Sequence, residues 1–156
     1  MGRGRKLSEA DSDYTDIETS AVRFLAAREH SQEELRRKLL KRHYDSDQIE
    51  RVLEELNSSG LLSDARFTEA FIESRIRKGQ GPVRIRVELR ERGVASQLTE
   101  EALEVYADQW WNLLKEVHDT KFGCEKADSN KALAKRARFL ESRGFPGELI
   151  RALLLD

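Results

Sequence analysis

The residues best placed to do chemistry in this 156-residue chain are its arginines, which outnumber its lysines 19 to 9. They come in runs. Residues 36–42 hold Arg36, Arg37, Lys38, Lys41 and Arg42 with no acid among them. Residues 84–92 hold Arg84, Arg86, Arg90 and Arg92 against Glu88 and Glu91. Residues 131–143 hold Lys131, Lys135, Arg136, Arg138 and Arg143 against Glu141. Arg75, Arg77 and Lys78 stand just upstream of the middle run, so residues 66–92 carry eight positive and four negative charges. A guanidinium presents a planar fork of donors that meets a phosphate or carboxylate at two points. Basic runs of this kind suit the backbone of a nucleic acid or an acidic protein groove. The plainer reading is solvated helix faces joined by intramolecular ion pairs, each worth well under about 1 kcal/mol. On a chain that is 37% charged this accounts for many of the pairs, but less well for the preference for Arg.

Other chemistries find no support. His30, His43 and His118 are scattered, and a zinc site needs three or four ligands at short spacing. His118 with Cys124 offers two, so Cys124 reads as a plain thiol and no metal is expected. Gly79-Gln80-Gly81-Pro82 resembles a phosphate loop in composition alone. It follows a helical pattern rather than a strand and lacks the downstream Gly-Lys-Ser/Thr. It reads as a helix stop and restart. No nucleophile elbow, kinase motif or convergent polar pocket is legible, so neither an enzyme nor a cofactor is expected. Trp110 and Trp111 are adjacent and point to different helix faces. One could be a stacking platform or protein anchor, but the plainer expectation is that both pack between the second and third rounds of helices described below.

Helices must carry these side chains. Leu, Arg, Glu and Ala number 72 of 156 residues, while Val, Ile and Thr number 18. That balance disfavours sheet. Net charge is −1, so nucleic-acid binding would need local charge separation. The chain has no apolar run near the roughly 18 residues of a membrane span, no secretory signal at its start and a single cysteine. A reducing cytoplasm is expected. Residues 1–16 read as a flexible tail. Ile17, Ala21, Phe24 and Leu25 then begin a helical stripe. Ser31-Gln-Glu-Glu34 is a capping box, and Asp45 to Asp47 cap a third helix that stops at Gly60. Ser63-Asp64 opens the next round, with Asp64 read as its cap. Pro82 sits at a helix start and Gly93 at its stop. Thr99 is expected to cap the following helix, and a long stripe runs from Tyr106 to Val117. A polar link (residues 123–130), a helix ending at Gly144 and a last helix complete the chain.

The chain repeats itself. Leu39-Leu-Lys-Arg42-His43-Tyr44, Leu89-Arg-Glu-Arg92-Gly93-Val94 and Leu140-Glu-Ser-Arg143-Gly144-Phe145 align at offsets of 50 and 51 residues. Each has a Leu, an Arg three residues on, a turn residue and an apolar residue. Phe24-Leu-Ala-Ala-Arg28 likewise matches Phe71-Ile-Glu-Ser-Arg75, with no clear third copy. The expected architecture is all-α: an elongated tandem array of three three-helix repeats, over 17–62, 63–106 and 107–156. Basic residues spread over all three units favour backbone contact over base readout.

Residues 60–75 (Gly60-Leu-Leu-Ser-Asp64-Ala-Arg66-Phe67 through Arg75) and residues 81–93 (Gly81-Pro82-Val-Arg84-Ile85 through Arg92-Gly93) resemble the signature of the RecX family, bacterial regulators of the RecA recombinase. Ser31 to Leu39 and Phe139 to Phe145 fit its first and last units, so the likeness runs from about Ile17 to the end. The resemblance implies a non-enzymatic tandem array, active in recombination, repair and the SOS response. It would bind RecA filaments on DNA and suppress ATP hydrolysis, strand exchange and co-protease activity, by blocking filament growth or destabilising the filament. The expected partners are the RecA filament and single- and double-stranded DNA, with no membrane, and the chain is expected to be a monomer. The different-class alternative is a sequence-independent DNA-binding protein acting directly. The residues expected to carry binding are Arg75, Arg77, Lys78, Arg84, Arg86, Arg90 and Arg92, then Arg36, Arg37, Lys41 and Arg42, and Lys135, Arg136 and Arg138.

Overall fold

The computed structural model describes residues 9–156. Its described residues form nine helices in three rounds and no strand. The first round is α1 (Glu9–Ala27), α2 (Gln32–Lys41) and α3 (Ser46–Ser58). The second is α4 (Asp64–Arg77), α5 (Pro82–Glu91) and α6 (Ser96–Glu104). The third is α7 (Trp110–Phe122), α8 (Asn130–Ser142) and α9 (Gly147–Leu155). No described helix is long and apolar enough to cross a membrane. The chain divides into two compact units, one running to Phe67 and the other from Thr68 to Asp156.

Each round has an apolar stripe at helical spacing. In the first unit Ile17, Ala21, Leu35, Leu39, Ile49, Val52, Leu53, Leu56 and Leu62 form one buried cluster. In the second unit Ile72, Ile85, Leu89 and Leu103 are buried, and Leu114, Leu140, Phe145 and Ile150 cluster in the third round. The expected tail is shorter than its assigned range. Residues 1–8 lie outside the described residues, but 9–16 belong to α1. Tyr14 explains the extension: it packs on the first-round core, with the Arg51 guanidinium 5.6 Å from its ring.

The repeated Leu–Arg–turn–apolar motif is a helix stop. In α5 and α8 the Arg is the C-cap, at φ −88° and −79°, and the next residue, Gly93 or Gly144, takes φ +75° or +92°. The Gly93 N–H donates to Arg90 O and the Val94 N–H to Leu89 O; Gly144 and Phe145 repeat this with Glu141 O and Leu140 O. These are the paired bonds of a Schellman cap, and its usual apolar contact explains the Leu and the final apolar residue. In the first round His43 occupies the left-handed slot at φ 64°, the one non-glycine residue among those described to do so.

Two expected caps are corrected. Thr99 does not open α6: the helix starts at Ser96 after Ala95, and Thr99 is buried one turn inside it. Tyr106 lies in the turn before α7 rather than on one continuous stripe, its ring 6.5 Å from that of Trp110. Asp64 does cap a helix, but that of the preceding round: its Oδ1 accepts the Gln32 N–H at 2.7 Å, while Ser63 Oγ accepts the Arg66 N–H at the start of α4.

The start of α5 is also capped from outside its own round. Gly81 has no side chain to offer and Pro82 has no N–H, so the first turn lacks a local cap. The backbone of the α8 stop supplies one. Gly81 N–H donates to Arg143 O at 2.8 Å and Val83 N–H to Gly144 O at 2.9 Å. The approach requires both glycines. A Cβ on Gly144 would lie 2.3 Å from Arg84 Cβ, and one on Gly81 would lie 2.5 Å from Gly144 O. Gly79-Gln-Gly81-Pro82 is therefore a helix stop and restart that also seats the third round.

Candidate functional site

The basic residues of α2, α5 and α8 sort into two kinds by their geometry. The first kind holds helices together. Arg36 on α2 forks onto Glu50 of α3, with Nε to Oε1 at 2.5 Å and Nη2 to Oε2 at 3.0 Å, and its Nη1 meets Glu33. Hydrogen bonding to Glu50 raises the Arg36 pKa further, against the effect of burial, and lowers that of Glu50. Fifty residues on, Arg86 on α5 forks onto Glu100 of α6 at 2.7 and 3.2 Å. At the next offset of 51 the same positions are Ala137 and Arg151, so the third round has no such fork. Arg37 pairs with Glu33 at 3.2 Å.

Arg75 and Arg84 converge on Glu88, at 2.6 and 3.0 Å. Burial pushes the Glu88 carboxyl up, but hydrogen bonds and charge from the two arginines outweigh it and the net shift is down. Two phenylalanines are clamped by cations: Phe24 by Lys38 and Arg42, at 4.9 and 4.7 Å, and Phe71 by Arg75 and Arg92, at 4.4 and 4.7 Å. Arg42 also donates to Ser20 Oγ and Arg92 to Glu88 O. Arg136 has no acid partner among the described residues and anchors the α7–α8 link instead. Its Nη1 donates to Glu125 O at 2.8 Å and lies 3.3 Å from His118 Nε2, with the guanidinium over Phe122.

The second kind is exposed and carries no ion pair. From the predicted set, and among the described residues, these are Lys41 in the first round, Arg77, Lys78 and Arg90 in the second, and Lys135 and Arg138 in the third; Lys131 on α8 is a further exposed cation outside that set. The predicted set is thus not one surface. Arg36, Arg37, Arg42, Arg75, Arg84, Arg86, Arg92 and Arg136 have intramolecular roles, and the remaining six present their charge to solvent.

Two cations outside that set complete a cleft in the second unit. Arg143 Nη2 donates to Lys78 O at 2.9 Å, and its guanidinium and the Lys121 ammonium stand 5.8 and 5.4 Å from the Phe139 ring. With Arg77 and Lys78 they line a hollow of about 510 Å3. Arg143 was legible: it occupies the repeat position of Arg42 and Arg92. Lys121 has no repeat counterpart that would single it out. Of the tryptophans, Trp110 is buried, but Trp111 is 40% exposed and does not pack inside as expected. His30 and His118 are buried, and Cys124 is exposed. No cluster of three or more metal-ligating side chains occurs among the described residues.

The sequence matches family models for the first, second and third three-helix domains of RecX, at residues 19–56, 63–103 and 107–154. The chain belongs to the RecX family. It is 40% identical over 146 residues to the regulatory protein RecX of Halorhodospira halophila, covering 94% of this chain and 91% of that one. It is 44% identical over 131 residues to the regulatory protein RecX of Chromohalobacter salexigens, covering 84% and 86%. The fold is that of RecX from Lactobacillus salivarius, with a TM-score of 0.79 at 18% identity over 92% of this chain and 96% of that one. A second RecX crystal structure superposes with a TM-score of 0.80 at 17% identity, covering 100% and 83%. Family membership places this chain among regulatory proteins.

Proposed function

We propose that this chain restrains RecA filaments on DNA, suppressing ATP hydrolysis, strand exchange and co-protease activity by blocking filament growth or destabilising the filament. The observation that carries the reading is the three-domain RecX match, which spans the chain from residue 19 to residue 154. Six exposed cations of the predicted set, with no ion pair among the described residues, support it: each round keeps at least one to meet acidic protein surface or phosphate backbone. The paired arginines contribute indirectly, by fixing the helices from which these cations project. The chain works as a monomer and without a cofactor, since restraint by occupancy needs no chemistry of its own.

The test is ATP hydrolysis by RecA on excess single-stranded DNA with this protein titrated in. A variant combining Arg77→Gln, Lys78→Gln and Arg90→Gln runs alongside. These positions remove outward charge and leave the Glu88 and Glu100 pairs intact, which Arg75, Arg84 and Arg86 substitutions would not. The expected result is inhibition well below one chain per recombinase monomer, weakened in the variant. No inhibition with DNA still bound would refute the proposal and leave a sequence-independent DNA-binding protein. DNA contact through these cations should also weaken with salt, by a slope that falls by about one for each phosphate contact removed.

A further inference from the structure

The cleft of about 510 Å3 in the second unit lies where the end of α4 meets α7 and α8. Arg77, Lys78, Lys121 and Arg143 supply its charge, and Glu116 is the one carboxylate among its described walls. Its apolar surface comes from Leu113, Val117 and Phe139. A second hollow of about 280 Å3 shares Ile76, Leu113 and Glu116 with it and reaches Trp110. Together they make a trough along one side of α7, with a basic end and an aliphatic floor.

We infer that this trough binds a segment of a protein partner in which Asp and Glu alternate with Leu, Ile or Val. The excess of cations selects an anionic ligand. The floor selects one with apolar side chains to bury, as peptide grooves do. A single nucleic-acid strand meets only the first demand. Base binding without sequence preference uses open aromatic faces, and Phe139 has Lys121 and Arg143 over its ring and Phe122 against it edge-on at 5.5 Å. A free phosphate would leave the floor uncovered. The inference goes beyond the proposed function, which assigns the exposed cations to filament and DNA without a bound segment.

The probe is a blocked peptide of about a dozen residues alternating acidic and aliphatic side chains, titrated into the full-length 15N-labelled chain. Binding should shift the amides of Lys78, Gly79, Val117, Lys121 and Phe139. Reversing charge with Arg77→Glu and Lys121→Glu should weaken it about tenfold or more, whereas Lys115→Glu, the same change on α7 outside the cleft, should not. Replacing the aliphatic residues of the peptide by Ser should weaken binding about as much, since the floor would lose its partner. The inference is overturned if the peptide does not bind, if the Ser peptide or the charge-reversed chain binds equally well, or if an oligothymidylate of matched charge moves the same amides at the same concentration. These results are read apart from RecA: absence of ATPase inhibition by the unaltered chain would sink the proposed function, and peptide binding would still decide the trough.

Discussion

Gly144→Ala should be more damaging than Gly60→Ala, a substitution at similar positive φ, because at Gly144 two costs coincide. The first is conformational. At φ +92° an L-residue sits in left-handed space, at a cost of roughly 1–2 kcal/mol. Gly60, at φ +81° in the stop after α3 with nothing within 4 Å of its would-be Cβ, isolates that cost. The second is contact. The new methyl would lie 2.3 Å from Arg84 Cβ and 2.7 Å from Arg84 N, where carbon contacts need about 3.5–4.0 Å. The start of α5 must then move by more than an ångström or stay strained. Moving it breaks the Gly81 N–H to Arg143 O and Val83 N–H to Gly144 O bonds; staying overpacks the junction. Either route adds about 1–3 kcal/mol. The sum is about 2–5 kcal/mol for Gly144→Ala, against about 1–2 kcal/mol for Gly60→Ala. Urea unfolding measures both, by tryptophan fluorescence for Gly144→Ala, whose unit holds Trp110 and Trp111, and by far-ultraviolet circular dichroism for Gly60→Ala. Hydrogen exchange at Gly81 and Val83, protected in the parent and fast in Gly144→Ala, locates the damage. Equal destabilisation by the two substitutions, or unprotected Val83 in the parent, would refute the argument that α5 is capped by the α8 stop.

His43→Gly should stabilise the first unit by about 0.5–1 kcal/mol, because His43 holds φ 64° at a stop where the other two rounds use glycine; urea midpoints would detect it, and a loss of stability would contradict the cap assignment. The buried His30 ring has Nδ1 at 3.1 Å from Arg28 O and Nε2 at 2.7 Å from Lys38 Nζ, so it is neutral, with Nδ1–H donating and Nε2 accepting. Burial, reinforced by the charges of Arg28 and Lys38, lowers its pKa. The unfolded chain therefore takes the proton first, near about pH 6.5, and stability should fall as pH drops from there towards the folded-state value. Denaturation midpoints between about pH 7.5 and about pH 5.5 should fall less in His30→Gln than in the parent, and equal slopes would refute the role of His30. Glu88 works the opposite way on the acid side: its lowered pKa contributes stability that is present above about pH 4.3 and lost as pH falls through the folded value. Glu88→Gln should therefore flatten the acid limb of second-unit stability, and an unchanged limb would count against the Arg75–Glu88–Arg84 cluster.

Much of this protein is local in origin and so legible one residue at a time. Helix periodicity, the Ser31 and Asp45 caps, and the Leu–Arg–turn–apolar stop depend on neighbours a few residues away, and so the three rounds can be read from spacing alone. The positions of the charged runs are equally plain. What spacing cannot supply is the partner of a long side chain. Arg86 and Arg90 look alike in sequence, yet Arg86 reaches Glu100 while Arg90 reaches no acid among the described residues, because only the packing of α5 on α6 brings one carboxylate within fork distance. Thr99 looks like a cap but is buried by a helix that starts one turn earlier. Asp64 caps α2, across 32 residues, and the Gly144 stop caps α5 from some 60 residues downstream. The cleft walled by Arg77, Lys121 and Arg143 exists only once α4, α7 and α8 are packed together. The sequence by itself determined the helices, their repeats and their charge, because these rest on short-range backbone bonds and side-chain character. The tertiary structure decided which cations are already paired and which remain for a partner, because that depends on distances of a few ångströms between residues far apart in the chain.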